Sequence, residues 1–164
     1  MSDPLLKWRE EFPILSRKTY LINNSLGAMP RGVRDGLKHF ADMWDSDGVV
    51  AWHYPDGSGW LDDCEKTADL IGSVMGAPQG SVMLHLNVAT LTAQVLSTID
   101  FTGKRNKIVY DDMQFTSPHY VVQEWARYGA KIEMVKSEDG IGVDVQKLVD
   151  AIDEHTALVP ISHV

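Results

Sequence analysis

The sequence predicts an α/β fold, a mostly parallel sheet flanked by helices. Three observations carry this. Beyond residue 80, short apolar runs alternate with amphipathic stretches, the pattern of successive β-α-β units. Glycine, proline and polar clusters punctuate the runs, as turns require. The chain has 164 residues, 44% apolar and 23% charged, enough for one ordinary domain with a real core.

The elements follow in order. Tyr20-Leu21-Ile22 is a short extended run ending in the polar turn Asn23-Asn24-Ser25-Leu26-Gly27. Pro30 suits the first turn of a helix, where its missing N–H costs nothing. Val33, Leu37, Phe40, Ala41 and Trp44 then recur at helical spacing. Residues 45–59, rich in Gly, Asp and Pro, read as a loop, and its Trp52, His53 and Tyr54 mark it as one that touches something. Leu61, Cys64, Ala68, Ile71 and Met75 predict a second helix, stopped near Gly76-Ala77-Pro78. Strands are expected at 81–85, 107–110, 131–135 and 157–161, with helices at 89–99, 117–128 and 143–152 between them. The sequence shows no repeat and no low-complexity tract.

Composition excludes several function classes. Fifteen Lys and Arg against 23 Asp and Glu give a net charge of -8, the wrong sign for a general nucleic-acid or anionic-membrane binder. Cys64 stands alone, so no intrachain disulfide and no cysteine-based zinc site exist. None of the six histidines has the spacing of a zinc helix, and no metal site is expected. The N-terminal residues carry charges where a signal peptide needs an apolar stretch, and no run approaches the ~20 apolar residues of a membrane span. A cytoplasmic globular chain is the expectation. Walker, Gly-x-Gly-x-x-Gly and Gly-x-Ser-x-Gly patterns are all absent.

Ligands of a parallel sheet bind beyond the carboxyl ends of its strands. Three loops should therefore converge: His85–Thr90, Asp111–Ser117 and Ser162–Val164. At the first, Leu86 and Asn87 open a helix whose free amides and dipole can cradle a phosphate; plain N-capping by Asn87 is the alternative. At the second, Phe115 can lie against a planar ring while Thr116 and Ser117 hold a phosphate. Its alternative is a core-packed Phe115 with Thr116 or Ser117 as cap. Asp62-Asp63 and Asp111-Asp112 read as solvated or capping carboxylates.

With those residues in place, the chain resembles the kynureninases, members of the class V aminotransferase group of pyridoxal-phosphate (PLP) enzymes. The run Leu21-Ile22-Asn23-Asn24-Ser25-Leu26-Gly27-Ala28-Met29-Pro30 is similar to their Asn-Ser-Leu-Gly element. The order of Trp52-His53, Gly59-Trp60, Leu86-Asn87-Val88, Phe115 and Ser162-His163-Val164 matches as well. Two positions depart from the family, which has Thr at Asn87 and Asp at Pro118.

The resemblance implies the N-terminal part of a PLP fold type I large domain: residues 1–58 as an N-terminal segment with a substrate-side loop, and 59–164 as the first, incomplete part of the PLP-binding domain. It implies that Leu86 and Asn87 contact the cofactor phosphate, that Phe115 stacks on the pyridine ring and that Thr116 and Ser117 lie beside it. Ser25 and His53 approach a small amino-acid substrate, partly across a homodimer interface. The complete enzyme would cleave L-kynurenine or 3-hydroxykynurenine to an anthranilate and alanine. The family's cofactor-bonding lysine falls beyond the position of Val164, so this stretch contributes no catalytic residue and should be inactive alone. Together with a strand at the very end of the chain, this makes a fragment of a longer enzyme the expectation. The rivals are another class V enzyme (aminotransferase, cysteine-desulfurase-like lyase or epimerase) and a non-catalytic partner module.

Overall fold

A computed structural model describes residues 3–162. The chain divides into two compact units, one up to Met83 and the other from Leu84.

The first unit is built on helices. Two 3-10 segments, Pro4–Glu11 and Pro13–Ser16, each begin on a proline, which the first helical position tolerates. Arg31 ties them to the following chain: its backbone N–H donates to the Glu11 carbonyl at 2.9 Å and its Nε to the Glu10 carbonyl at 2.7 Å. Helix α1 spans Val33–Asp47, and Gly48, at φ 54, turns the chain out of it. Helix α2 spans Trp60–Met75 and ends on Gly76 in the left-handed conformation, φ 72. Asp62 and Asp63 in its first turn complement the helix dipole. Between the helices, Phe40 stacks on Trp60 at 4.7 Å, and Trp52 meets Trp60 edge-on at 5.8 Å. Met43, Ala51, Ala68 and Gly72 are the buried positions of these elements.

The second unit is an α/β layer. Helix α3 spans Val88–Ser97, strand β1 Lys107–Asp111, helix α4 Thr116–Glu124, strand β2 Lys131–Val135, helix α5 Val145–Asp150 and strand β3 Thr156–Leu158. A 3-10 turn, Trp125–Tyr128, extends α4. The sheet is parallel, in the order β2-β1-β3. Its central strand carries the run Ile108-Val109-Tyr110, buried on both faces, as a strand covered from two sides must be. Leu96, Phe101, Ile108, Tyr110, Val122 and Ala130 form the core, so α3 and α4 pack onto the sheet through one buried aliphatic residue each, Leu96 and Val122. At the amino end of β1, Lys107 Nζ sits 2.9 Å from both Glu133 and Asp153 and donates to the Ala151 carbonyl, fastening β1 to β2 and to the turn that leads into β3.

Several expectations need correcting. Residues 81–85 do not form a strand: no neighbour offers them a ladder among the described residues, and an apolar run without a partner stays irregular. Pro30 precedes α1, with Val33 N–H donating to its carbonyl, rather than sitting in the first turn. The 45–59 loop is half helical, because α1 runs to Asp47 and the apolar Gly48–Trp52 forms a 3-10 turn that buries Ala51. The last helix begins two residues late because Asp144 caps it, accepting from the Gln146 and Lys147 amides. The last strand stops at Leu158, two residues before Pro160, which has no N–H for a ladder.

Candidate functional site

In the second unit, the carboxyl ends of the three strands are joined by side chains. Strand β1 delivers Asp111, which is only 8% exposed. One of its oxygens accepts the Met113 amide at 2.9 Å and the other accepts Gln114 Nε2 at 3.0 Å. Gln114 Nε2 also reaches the Pro160 carbonyl beyond β3, at 3.4 Å. Asp112 faces the other way: its N–H donates to Val135 at the end of β2, and its carboxylate accepts the Ser137 amide at 2.8 Å. The reading of Asp111 as solvated or capping is thereby corrected. Burial would cost a carboxylate dearly without partners, and two donors supply them. Gln114 was missed altogether; the only sequence signal was a paired acid closing an apolar strand.

The tight loop they form presents Phe115 outward. Its side chain is 64% exposed, so it is no core residue. Phe115 is the N-cap position of α4 and gives no side-chain cap; among the described residues neither Thr116 nor Ser117 makes a side-chain hydrogen bond, and α4 has no acid in its first turn. The backbone N–H groups of Phe115, Thr116 and Ser117 likewise have no partner among the described residues. Pro118, third in the helix, removes an N–H that would have lacked a partner anyway. Beneath α4, the buried Tyr110 hydroxyl meets His119 Nδ1 at 3.0 Å and accepts from Gln123 Nε2, and burial pushes the phenol up from its usual value.

At the head of α3, which packs on α4, Asn87 is an N-cap. Its Oδ1 accepts the Thr90 amide at 2.8 Å and the Thr90 hydroxyl at 3.0 Å. That oxygen is therefore occupied, while the Asn87 side-chain NH2 and the backbone amides of Leu86, Asn87, Val88 and Ala89 have no partner among the described residues. Leu86 is 89% exposed. Just before it, His85 Nε2 pairs with Gln94 at 3.0 Å. No hydrogen bond links the Leu86–Asn87 turn to Phe115–Ser117 among the described residues. Two carboxylate-free helix starts with free amides, one of them beside an exposed phenyl ring, can hold an oxyanion and a planar ring.

Ser25 and His53 belong to the first unit. Ser25 lies in an exposed turn, its amide donating to the Ile22 carbonyl. His53 follows the 3-10 turn, its amide donating to Val50. The backbone of His53 is pinned by Gly59: a Cβ there would come within 2.7–2.9 Å of Trp52 O, His53 Cα and Tyr54 N. The Ser162–Val164 segment lies largely outside the described residues, and only Ser162 is placed.

Among the lysines, Lys107 has a side chain only 12% exposed. Hydrogen bonds to Asp153 and Glu133 hold its ammonium above the usual lysine value, which makes it a poor nucleophile. It also lies at the amino end of β1, the opposite end from Phe115. No group of three or more His, Cys, Asp or Glu is arranged for a metal among the described residues. No helix among them is long and apolar enough to cross a membrane.

No protein-family model matches the chain. Curated relatives do. Kynureninase of Geobacillus thermodenitrificans (strain NG80-2) is 29% identical over 96% of this chain and 38% of its own length. Kynureninase 1 of Aspergillus oryzae is 31% identical over 98% of this chain and 40% of its own. Kynureninase of Monosiga brevicollis is 29% identical over 93% and 41%. The chain thus spans about two-fifths of the length of the curated relatives it matches. Among solved structures, a C-DES mutant with glycine covalently linked to its PLP cofactor superposes with a TM-score of 0.74 at 18% identity, covering 94% of this chain and 40% of that one. The likeness is one of fold.

Proposed function

We propose that this chain, which is kynureninase-like over nearly all of its length, is part of a PLP-dependent hydrolase that cleaves L-kynurenine or 3-hydroxykynurenine to an anthranilate and alanine. One observation carries the reading: an exposed Phe115 held beside a carboxylate-free helix start, at the carboxyl end of a parallel sheet, in a chain similar to kynureninases.

The residues suit the cofactor. The amides and Asn87 NH2 at the head of α3 offer donors for a phosphate dianion, with the helix dipole adding to the attraction. Phe115 offers its face to the pyridine ring, and the Thr116 and Ser117 hydroxyls are free to donate beside it. Bound there, PLP supplies an electron sink for a carbanion, while the protein supplies orientation and charge complementarity. Ser25 and His53 are assigned to the substrate side, and residues 59–164 to the first part of the cofactor domain. A homodimer, a cytoplasmic location and a place in tryptophan catabolism belong to the same reading. Lys107 is engaged elsewhere, and the covalent partner of PLP is assigned to the part of the relatives' length that this chain does not span.

The test is a PLP titration of this chain, with and without borohydride, followed by intact mass, alongside an assay of the complete enzyme for anthranilate fluorescence from kynurenine. Non-covalent binding that Phe115→Ala weakens about tenfold, with no reduced adduct, is expected; the magnitude is that of a lost aromatic contact. A stoichiometric adduct on a lysine of this chain contradicts the assignment of that lysine. A complete enzyme that ignores kynurenine overturns the reaction.

A further inference from the structure

We infer that Gln114 is a positioning residue: by donating to Asp111 and to the Pro160 carbonyl, it fixes the Phe115 ring and couples the loop after β1 to the segment after β3. The inference rests on the cofactor reading in one respect only, the identity of what Phe115 stacks on.

The geometry leads there step by step. Phe115 is a large apolar side chain held in solvent, which is unfavourable unless something covers it. A ring platform works only when its loop is rigid, since each freely rotating bond must be frozen on binding. Rigidity here comes from three residues before the ring, Asp111, Asp112 and Gln114. Gln114 Nε2 has two acceptors, Asp111 Oδ2 at 3.0 Å and Pro160 O at 3.4 Å. An amide turned the other way would set its oxygen against a carboxylate and a carbonyl, so the observed orientation is the favourable one. Asp111 is itself fixed, since its second oxygen takes the Met113 amide inside the same loop. Asp112 anchors the loop to the β2 side through Ser137. The residue adjoining Phe115 thus bridges this loop to the chain beyond β3. A ligand that presses on Phe115 loads the Pro160 segment through this amide.

The donor role separates Gln114 from a residue that merely fills space. Gln114→Glu keeps the shape and replaces the NH2 by oxygen, placing like charge against Asp111. Gln114→Arg changes the shape and keeps the donors. Three readouts on the full chain decide the matter: fluorine NMR of the fluorophenylalanine-labelled chain, with Phe115 assigned by Phe115→Tyr; calorimetric affinity for deoxypyridoxine phosphate, which has the ring and phosphate of PLP but no aldehyde; and the melting temperature without ligand. Gln114→Glu is expected to shift and sharpen the Phe115 resonance and to weaken the probe about tenfold, the magnitude of a lost charge-assisted hydrogen bond. Its melting temperature should fall as well, because the buried Asp111 loses a donor and meets a like charge, and Gln114→Arg should restore all three readouts. An unchanged resonance in Gln114→Glu overturns the positioning role, as does a lower melting temperature with unaltered affinity. If the unsubstituted chain does not bind the probe at all, the cofactor reading fails, and the Phe115 resonance still decides the role of Gln114.

Discussion

Lys107 carries the heaviest electrostatic duty of any single residue in the sheet. Two carboxylates and a carbonyl surround its ammonium, and the Asp153 and Glu133 hydrogen bonds raise its pKa. The Lys107 contact in turn lowers the pKa of Asp153, with the His155 amide adding to the effect. The raised group contributes stability that is full below the unfolded lysine value, about 10.4, and fades as pH climbs through the folded one. The lowered group contributes stability that is full above the unfolded aspartate value, about 3.9, and fades as pH drops through the folded one. Lys107→Met removes the first dependence and reduces the second, since the His155 amide still lowers Asp153, while Glu133 and Asp153 stay solvated. Denaturant midpoints measured between about pH 3 and about pH 11 should therefore fall at both ends for the natural chain and more gently for the variant. Equal slopes in the two proteins contradict the assignment. Asn87 makes a contrasting case: its side-chain oxygen is committed to Thr90, so it acts on a ligand only through N–H groups.

Among the elements, α2 shows two glycines needed for different reasons. Gly76 ends the helix at φ 72 with open space around it, so a side chain there is opposed by backbone conformation alone, about 1 kcal/mol. Gly59 has an ordinary φ of -77 but no room: backbone atoms of residues 52–54 would stand within 3 Å of a Cβ. Relief requires moving the whole strip that carries His53. Gly59→Ala should cost about 1–3 kcal/mol, as overpacking does, and should alter tryptophan fluorescence because Trp52 meets Trp60 there. Gly76→Ala should lower stability by less and leave the fluorescence in place. Chemical denaturation with emission spectra separates the two; equal spectra in both variants contradict the clamp.

For the whole molecule, the salient fact is how much apolar surface stays uncovered. Phe40, Trp44, Val49, Trp52, Trp60 and Leu61 line a pocket of about 500 Å³ in the first unit, and Trp44 is 67% exposed. The edge strand β3 adds unpaired backbone groups on its outer side. Contiguous apolar patches of this kind drive association. The isolated chain should elute from size exclusion at a position that depends on its concentration, and Trp44→Lys with Val49→Lys should move it toward the monomer. A sharp monomer at every concentration with a cooperative melt refutes this.

The sequence by itself determined the periodic parts. Helices at Val33–Asp47, Trp60–Met75, Val88–Ser97 and Thr116–Glu124, and strands at Lys107–Asp111 and Lys131–Val135, follow from local spacing, caps and glycine stops. The helix starts at Asn87 and Phe115 were legible too, because caps and helix starts are local signals. What the tertiary structure decided is everything that depends on a distant partner. Whether 81–85 pairs and how far the last strand runs are settled by neighbours, not by composition. Gln114 joining Asp111 to Pro160 lies in the same class, since a bridge across 46 residues leaves no period in a sequence. Periodicity is a property of one segment, whereas pairing, burial and bridging depend on two, and only the folded chain brings the second one into reach.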